Sequence, residues 1–229
     1  MTKILAHRGE HKTDRENTVA AFRSARRAGA DGVELDVRRT VDGALVVHHD
    51  SICQGVAIGE SRQRDLPSYV PTLDEAMEAC EGLLVNVEIK NSRGRNETTY
   101  DDTGDFARQV VRHLQQINWA DRVIVSCFDK ATCVSARSFD AEIAVGWLLW
   151  RVRLRDAMTQ AHVLGFTAVH PRYRLLNADA MAMARALDLE VNTWTVNGRS
   201  ALGAMLDLGV NAIITDEPAR AKDIVNGLQ

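Results

Sequence analysis

The sequence predicts an α/β protein folded as a closed (β/α)8 barrel, and three observations carry that reading. Eight short apolar or β-branched runs alternate with longer stretches whose apolar residues repeat at helical spacing. Gly29, Gly82, Gly165 and Gly209 each fall between a helical stretch and the next apolar run, where a helix end calls for a left-handed residue. Ionisable residues gather at the C-terminal ends of several runs, the end at which such a barrel carries its active site.

Taken in order, the barrel strands are expected at 4–7, 32–37, 84–90, 123–128, 143–149, 168–171, 191–196 and 212–216. A ninth run, 45–49, is joined to the second by Val41-Asp42-Gly43. Asp-Gly favours a hairpin turn, and parallel neighbours cannot be joined by so short a link. Residues 45–49 are therefore expected to return antiparallel to the second strand, outside the barrel count. Residues 51–70 are polar and weakly periodic, and read as an inserted loop or small lid. The chain is thus expected to form one catalytic barrel domain over 1–229, with an insert at about 51–71. Thr72 and Glu75 form a capping-box pattern that opens a helix. Phe106, Val110, Leu114 and Ile117 mark the buried face of another.

Of the 229 residues, 45% are apolar and 26% charged, enough for a sizeable core. Lys plus Arg is 28 against 31 for Asp plus Glu, a formal charge of −3. That balance excludes a strongly basic nucleic-acid binder and an acidic disordered chain. Cys53, Cys80, Cys127 and Cys133 form no Cys-x-x-Cys pair, so free buried thiols in a reducing compartment are expected. No apolar stretch approaches the roughly 20 residues of a membrane helix, and the N-terminus has no signal-peptide pattern. A cytoplasmic protein without a membrane anchor is the expectation. Nothing here indicates the oligomeric state.

The first strand ends in His7-Arg8-Gly9, the second carries Glu34-Leu35-Asp36, the hairpin arm returns with His49-Asp50, and the third ends in Glu88-Ile89-Lys90. Strand side chains alternate faces, so Glu34 and Asp36 point one way, as do Glu88 and Lys90. Three carboxylates at one mouth are hard ligands suited to Mg²⁺ or Ca²⁺, with Mn²⁺ a third candidate, rather than to zinc. Two histidines beside such an ion supply a general acid and a general base. Arg8 and Lys90 offer charge to a phosphate and to its transition state. The pattern reads as phosphodiester cleavage. The competing reading of Glu34 and Asp36 is an ion-paired set holding Arg38 and Arg39.

Those residues, with Glu16-Asn17-Thr18, Ala21-Phe22, the run Gly29 to Val37, Asp42-Gly43 and Val46 to Asp50, resemble the glycerophosphodiester phosphodiesterase family. Ser126-Cys127-Phe128, Trp194-Thr195-Val196-Asn197 and Thr215-Asp216-x-Pro218 continue the resemblance in order. It implies a TIM-type barrel and metal-dependent hydrolysis of glycerophosphodiesters to glycerol 3-phosphate and an alcohol. It also implies His7 and His49 as catalytic, Glu34, Asp36 and Glu88 as ligands of one divalent cation, and Arg8, Lys90 and Trp194 as substrate contacts. The substrate is then a small-molecule glycerophosphodiester. His48 and His49 face opposite ways on a strand, and the resemblance selects His49. The chain departs from the family pattern at Arg15, where a proline is usual, and over Ser51-Ile52-Cys53-Gln54-Gly55.

Two alternatives compete: a phospholipase D-like or sphingomyelinase-like lipid phosphodiesterase on the same barrel, and a non-catalytic barrel that binds phosphate esters. The second has no need of an acid/base pair beside a carboxylate triad. Residues 51–70, directly after His49-Asp50, are expected to overhang the leaving alcohol. Tyr69 is their only aromatic, so they lack the apolar face of a bilayer-docking lid, and water-soluble diesters are expected over membrane lipids. Trp147 and Trp150 are read first as packing residues, with an apolar substrate wall as the alternative. His11, His113 and His162 are read as loop or helix-surface residues, and His170 as a residue at the mouth or in a structural hydrogen bond. Arg151, Arg153 and Arg155 are read as a solvated helix start. Arg93 and Arg95 follow the third strand within reach of an anionic substrate.

Overall fold

The computed structural model describes residues 1–94 and 97–227. Arg95 lies outside them. Among the described residues, eleven strands and eight α-helices follow in order: β1 Lys3–His7, α1 Val19–Arg27, β2 Gly32–Arg39, β3 Leu45–Val47, β4 Ile52–Cys53, β5 Val56–Ala57, α2 Leu73–Ala79, β6 Leu84–Ile89, α3 Asp105–Gln116, β7 Val123–Cys127, α4 Lys130–Phe139, β8 Ala144–Leu149, α5 Leu154–Val163, β9 Ala168–Pro171, α6 Ala178–Ala186, β10 Glu190–Thr193, α7 Arg199–Leu208, β11 Ala212–Thr215 and α8 Pro218–Asn226. Among the described residues, no helix is long and apolar enough to cross a membrane.

Eight strands close a parallel barrel in the order β1-β11-β10-β9-β8-β7-β6-β2, and β1 pairs with β2 to complete the ring. These are the eight expected strands, with ends shifted by up to three residues. Their side chains alternate between two destinations. Val33, Leu35 and Val37 of β2 enter the core shared with the helices, while Glu34 and Asp36 face the barrel axis. The register then does chemical work: His7 lies opposite Glu34, and Asp36 opposite Glu88.

The hairpin arm β3 pairs antiparallel with β2, Val37 opposite Val47, as the Asp-Gly link predicts. The capping box is present, with the Thr72 hydroxyl accepting from the Glu75 N–H and the Glu75 carboxylate accepting from the Thr72 N–H. Gly29, Gly82, Gly165 and Gly209 all take positive φ. The four cysteines are free and buried.

The insert contains the β4–β5 ribbon and two short 3-10 turns. Val46, Cys53 and Ile58 form its own small core, closed by Leu66, Tyr69 and Val70. Backbone bonds from Ile58 to Ser51 and from Val41 to Ser61 hold it against the hairpin. Arg15, the residue in place of the usual proline, stacks its guanidinium 4.0 Å from the Tyr69 ring.

Candidate active site

Glu34, Asp36 and Glu88 converge at the barrel mouth, all buried, with one carboxylate oxygen of each within 4.8 Å of the others. The sequence immediately around them explains how they are held. The Arg8 N–H donates to Glu34 Oε2 at 3.0 Å. Arg8 and Gly9 turn the chain there with φ of 57° and 83°. A Cβ on Gly9 would sit 2.7 Å from the backbone of Ala21, so only glycine lets this turn rest on α1. Each residue of Glu16-Asn17-Thr18 has its own task. Glu16 accepts from the Arg8 guanidinium at 3.0 and 3.1 Å. Asn17 donates to Asp36 Oδ2 at 2.7 Å and accepts from the Asp36 N–H at 3.2 Å. Thr18 caps α1.

Two cations answer the three carboxylates. Lys90 Nζ lies 2.8 Å from Glu88 and 3.4 Å from Asp36, and Arg8 Nε lies 3.4 Å from Asp36. Burial opposes ionisation of Asp36, but Lys90 and Arg8 outweigh it and hold the carboxyl well below its usual range. Glu34 is compensated less: burial and the neighbouring Asp36 charge outweigh His7 and Arg8 and push it up to about 8. Its Oε1 is buried without a hydrogen-bond partner. Arg38 and Arg39 do not pair with Glu34 or Asp36, so the ion-pair reading of those two residues involves Arg8 and Lys90 instead.

His7 and His49 flank the cluster. Asp216 Oδ1 accepts from His7 Nδ1–H at 2.6 Å, which leaves His7 Nε2 facing the cluster, 3.9 Å from Glu34. Burial works against a proton on His7, but the Asp216 hydrogen bond and the Glu34 charge outweigh it and raise its pKa. Asp216 is itself held by the Asn197 amide at 2.5 Å. His49 Nδ1 bonds Asp50 Oδ1 at 2.7 Å, and the His49 carbonyl accepts from the Arg38 guanidinium, which Glu97 anchors at 2.6 Å. His48 turns away and bonds the Asp50 carbonyl.

A cavity of about 790 Å³ opens over this cluster. His7, Arg8, Glu34, His49, Glu88 and Lys90 line one side, and Phe128, Leu148, Trp150, Tyr173 and Trp194 the other. All the sequence-predicted site residues except Asp36 line it, and Asp36 lies just beneath. None of residues 51–70 lines it. The expected overhang is therefore not formed: the cavity is bounded instead by segments after β6, β7, β8, β9 and β10, and the insert's own core pins it to the hairpin.

The other histidines divide. His113 and His162 are surface residues, bonded to Asp74 and to the Leu187 carbonyl. His11 is more than a loop residue: its Nδ1 donates to the His7 carbonyl at 2.8 Å and its Nε2 lies 3.6 Å from Asp216. His170 is wholly buried below the mouth, bonded to Asn192, and burial pushes its pKa down to about 3. Trp147 is a packing residue that donates to the Phe128 carbonyl, whereas Trp150 stands 52% exposed at the rim. Trp194 donates to the His170 carbonyl and meets Phe128 edge-on at 5.4 Å. Arg93 stacks on Tyr100. Asp216, Asn197 and Arg38 are the positioning residues that sequence reasoning did not single out. Asp216 and Asn197 lay inside the quoted motifs, the one available signal.

Comparison with known proteins agrees with this geometry. Residues 7–220 match the glycerophosphoryl diester phosphodiesterase family. The chain belongs to that family. It is a phosphoric diester hydrolase on a TIM-type barrel. A glycerophosphodiester phosphodiesterase of Caldanaerobacter subterraneus is 29% identical over 245 residues, covering 98% of each chain. A lysophospholipase D of Mus musculus is 23% identical over 284 residues, covering 99% of this chain and 87% of that one. Among solved structures, a glycerophosphodiester phosphodiesterase from Parabacteroides distasonis is 26% identical, with a TM-score of 0.84 over 100% and 98% of the two chains. An Oleispira antarctica phosphodiesterase in complex with the product sn-glycerol-3-phosphate shares the fold at 22% identity, with a TM-score of 0.87 over 99% and 97%.

Proposed function

We propose that this enzyme hydrolyses glycerophosphodiesters to glycerol 3-phosphate and an alcohol, with one divalent cation held by Glu34, Asp36 and Glu88. The observation that carries this is Glu34 Oε1. It is a buried carboxylate oxygen without a hydrogen-bond partner, in a set of three carboxylates that Lys90 and Arg8 answer through Asp36 and Glu88. An all-oxygen donor set of this kind fits Mg²⁺, Ca²⁺ or Mn²⁺. When bound, the cation supplies Lewis-acid neutralisation of the phosphate.

The chain's own residues do the rest. Arg8 and Lys90 hold the phosphate's remaining charge. His7 and His49 share the proton traffic: one takes the proton from the attacking oxygen, and the other protonates the departing alkoxide. Each is oriented through Nδ1 by an aspartate, Asp216 or Asp50, which leaves Nε2 as the reacting atom. Trp194 contributes to the wall against which the substrate lies. Four buried thiols fit a reducing compartment, in keeping with a cytoplasmic enzyme.

The test is a product assay on glycerophosphocholine and glycerophosphoethanolamine with Mg²⁺, Ca²⁺ or Mn²⁺ added to chelator-stripped protein. Release of glycerol 3-phosphate with at least one ion supports the proposal. Release of phosphocholine instead, or turnover independent of any ion, refutes it.

A further inference from the structure

The side of the cavity opposite the carboxylates carries a charge pattern that hydrolysis alone does not require. Five arginines occur on two adjacent segments, the loop after β8 with the first turn of α5, and the loop after β9. Arg151, Arg153 and Arg155 follow β8, and Arg172 and Arg174 follow β9. β8 and β9 are neighbours, with Leu149 opposite Pro171, so the loops emerge side by side. None of the five has an ion-pair partner among the described residues, in a chain whose net charge is −3.

Arg172 lines the cavity itself, between Trp150 and Trp194. Its backbone is fixed on both sides. The Arg172 N–H donates to the Leu149 carbonyl at 3.2 Å, and Arg172 forms a parallel bridge with Trp194. It is a half-buried, positioned cation without a counter-ion. Two of the four aromatic walls, Trp150 and Tyr173, are already served by protein cations. Arg151 stacks 5.1 Å from the Trp150 ring centre and Arg174 5.6 Å from that of Tyr173. A quaternary ammonium entering here would compete with guanidinium groups for the Trp150 and Tyr173 rings and meet the unpaired Arg172. An anionic group would meet Arg172 with nothing to displace.

We infer that this half of the cavity selects diesters whose leaving alcohol itself carries negative charge, such as a further phosphate, with Arg172 as the specificity-determining contact. The inference rests on the hydrolytic reading above and names its substrate class. Arg174 and Arg151 hold Tyr173 and Trp150 in place and extend the positive field outward, which steers such a substrate in.

The experiment compares kcat/KM on three soluble diesters that release alcohols of different charge. Bis(glycerophospho)glycerol releases an anion, glycerophosphoglycerol a neutral alcohol and glycerophosphocholine a cation. The expected order is anionic, then neutral, then cationic, with the spread shrinking as salt is raised from low to physiological and above. Arg172→Gln should narrow the anionic-to-cationic ratio about tenfold, the scale of one charge-assisted contact, and chiefly through KM on the anionic diester. Arg174→Gln should narrow it less. Equal rates on all three, or a preference for glycerophosphocholine, would overturn the inference while leaving hydrolysis standing. So would an Arg172→Gln variant that loses the same factor on every diester, since Arg172 would then serve the common phosphate. Equal rates joined with sedimentation on phosphatidylglycerol vesicles, abolished by Arg151→Ser with Arg153→Ser, would assign the arginines to a lipid surface. Failure of the wild-type enzyme to cleave any of the three would overturn the hydrolytic reading and this inference with it.

Discussion

Asp216→Asn tests how His7 is made ready for proton transfer. The carboxylate does not line the cavity, so its effect must travel through His7. At 2.6 Å the bond is a short charge-assisted one, and such bonds contribute about 1.5–3 kcal/mol. An amide removes the charge. The Asn197 amide, now bonded to Asp216 Oδ2, also forces a choice of which side-chain atom of the new Asn faces His7. If the amide nitrogen faces it, His7 carries its proton on Nε2 and presents the wrong tautomer to the reacting atoms. Losing 1.5–3 kcal/mol corresponds to a factor of about 10–150 in kcat, with KM nearly unchanged. The sign of the pH effect follows from the causes of the His7 shift. Asp216 and Glu34 raise its pKa against burial, so removing the Asp216 charge lowers it. The limb of the kcat/KM profile governed by His7 should move to lower pH. Steady-state kinetics from pH 5 to pH 9 on one soluble diester read both effects. A variant within about threefold of wild type, with that limb unmoved, would show that Asp216 is not what orients His7.

The remaining expectations concern the second histidine and the acid–base balance of the fold. His49→Ala should lower kcat at least about 100-fold, the scale for losing a general acid or base, while His48→Ala changes it only a few-fold. Equal losses in the two variants would place the wrong histidine at the phosphate. Glu34 links pH to stability without metal: its folded pKa is raised to about 8, so the folded state keeps a proton that the unfolded state gives up near the ordinary glutamate value. Its contribution therefore favours folding at low pH and is lost as pH rises from about 4.5 towards 8. Thermal unfolding of chelated wild type and Glu34→Gln across that window should show the wild type losing stability relative to the variant. A parallel pH dependence would refute the assignment to Glu34.

The barrel and its carboxylate triad were legible because both depend on local pattern. Eight buried strands must be apolar on the helix-facing side, and period two places Glu34 with Asp36 and Glu88 with Lys90 whatever the rest of the chain does. The hairpin arm was legible from its Asp-Gly link. What escaped depends on closure. Asp216 meets His7 only because β11 returns beside β1, 209 residues along the chain, and Arg38 finds Glu97 across 59. The same closure promoted His11 from a loop residue to a partner of Asp216 and sank His170 below the mouth, where burial strips its charge. The place of the insert was misjudged because chain proximity to His49 says nothing of direction. Its own small core of Val46, Cys53 and Ile58 turns it to the hairpin's far side. The arginine set read as a solvated helix start until β9 brought Arg172 and Arg174 alongside it.

The central claim is that Glu34, Asp36 and Glu88 bind one catalytic cation, and titration calorimetry of chelator-stripped protein with Mg²⁺, Ca²⁺ and Mn²⁺ tests it most directly. Binding should have a stoichiometry of one and release protons below about pH 8, as the ion displaces the proton held by Glu34. It should be lost or greatly weakened in Glu34→Gln and Asp36→Asn, whose circular dichroism stays that of the wild type. Wild-type protein that binds none of these ions, or binds them equally well in both variants, while still cleaving a glycerophosphodiester in excess chelator, would contradict the account.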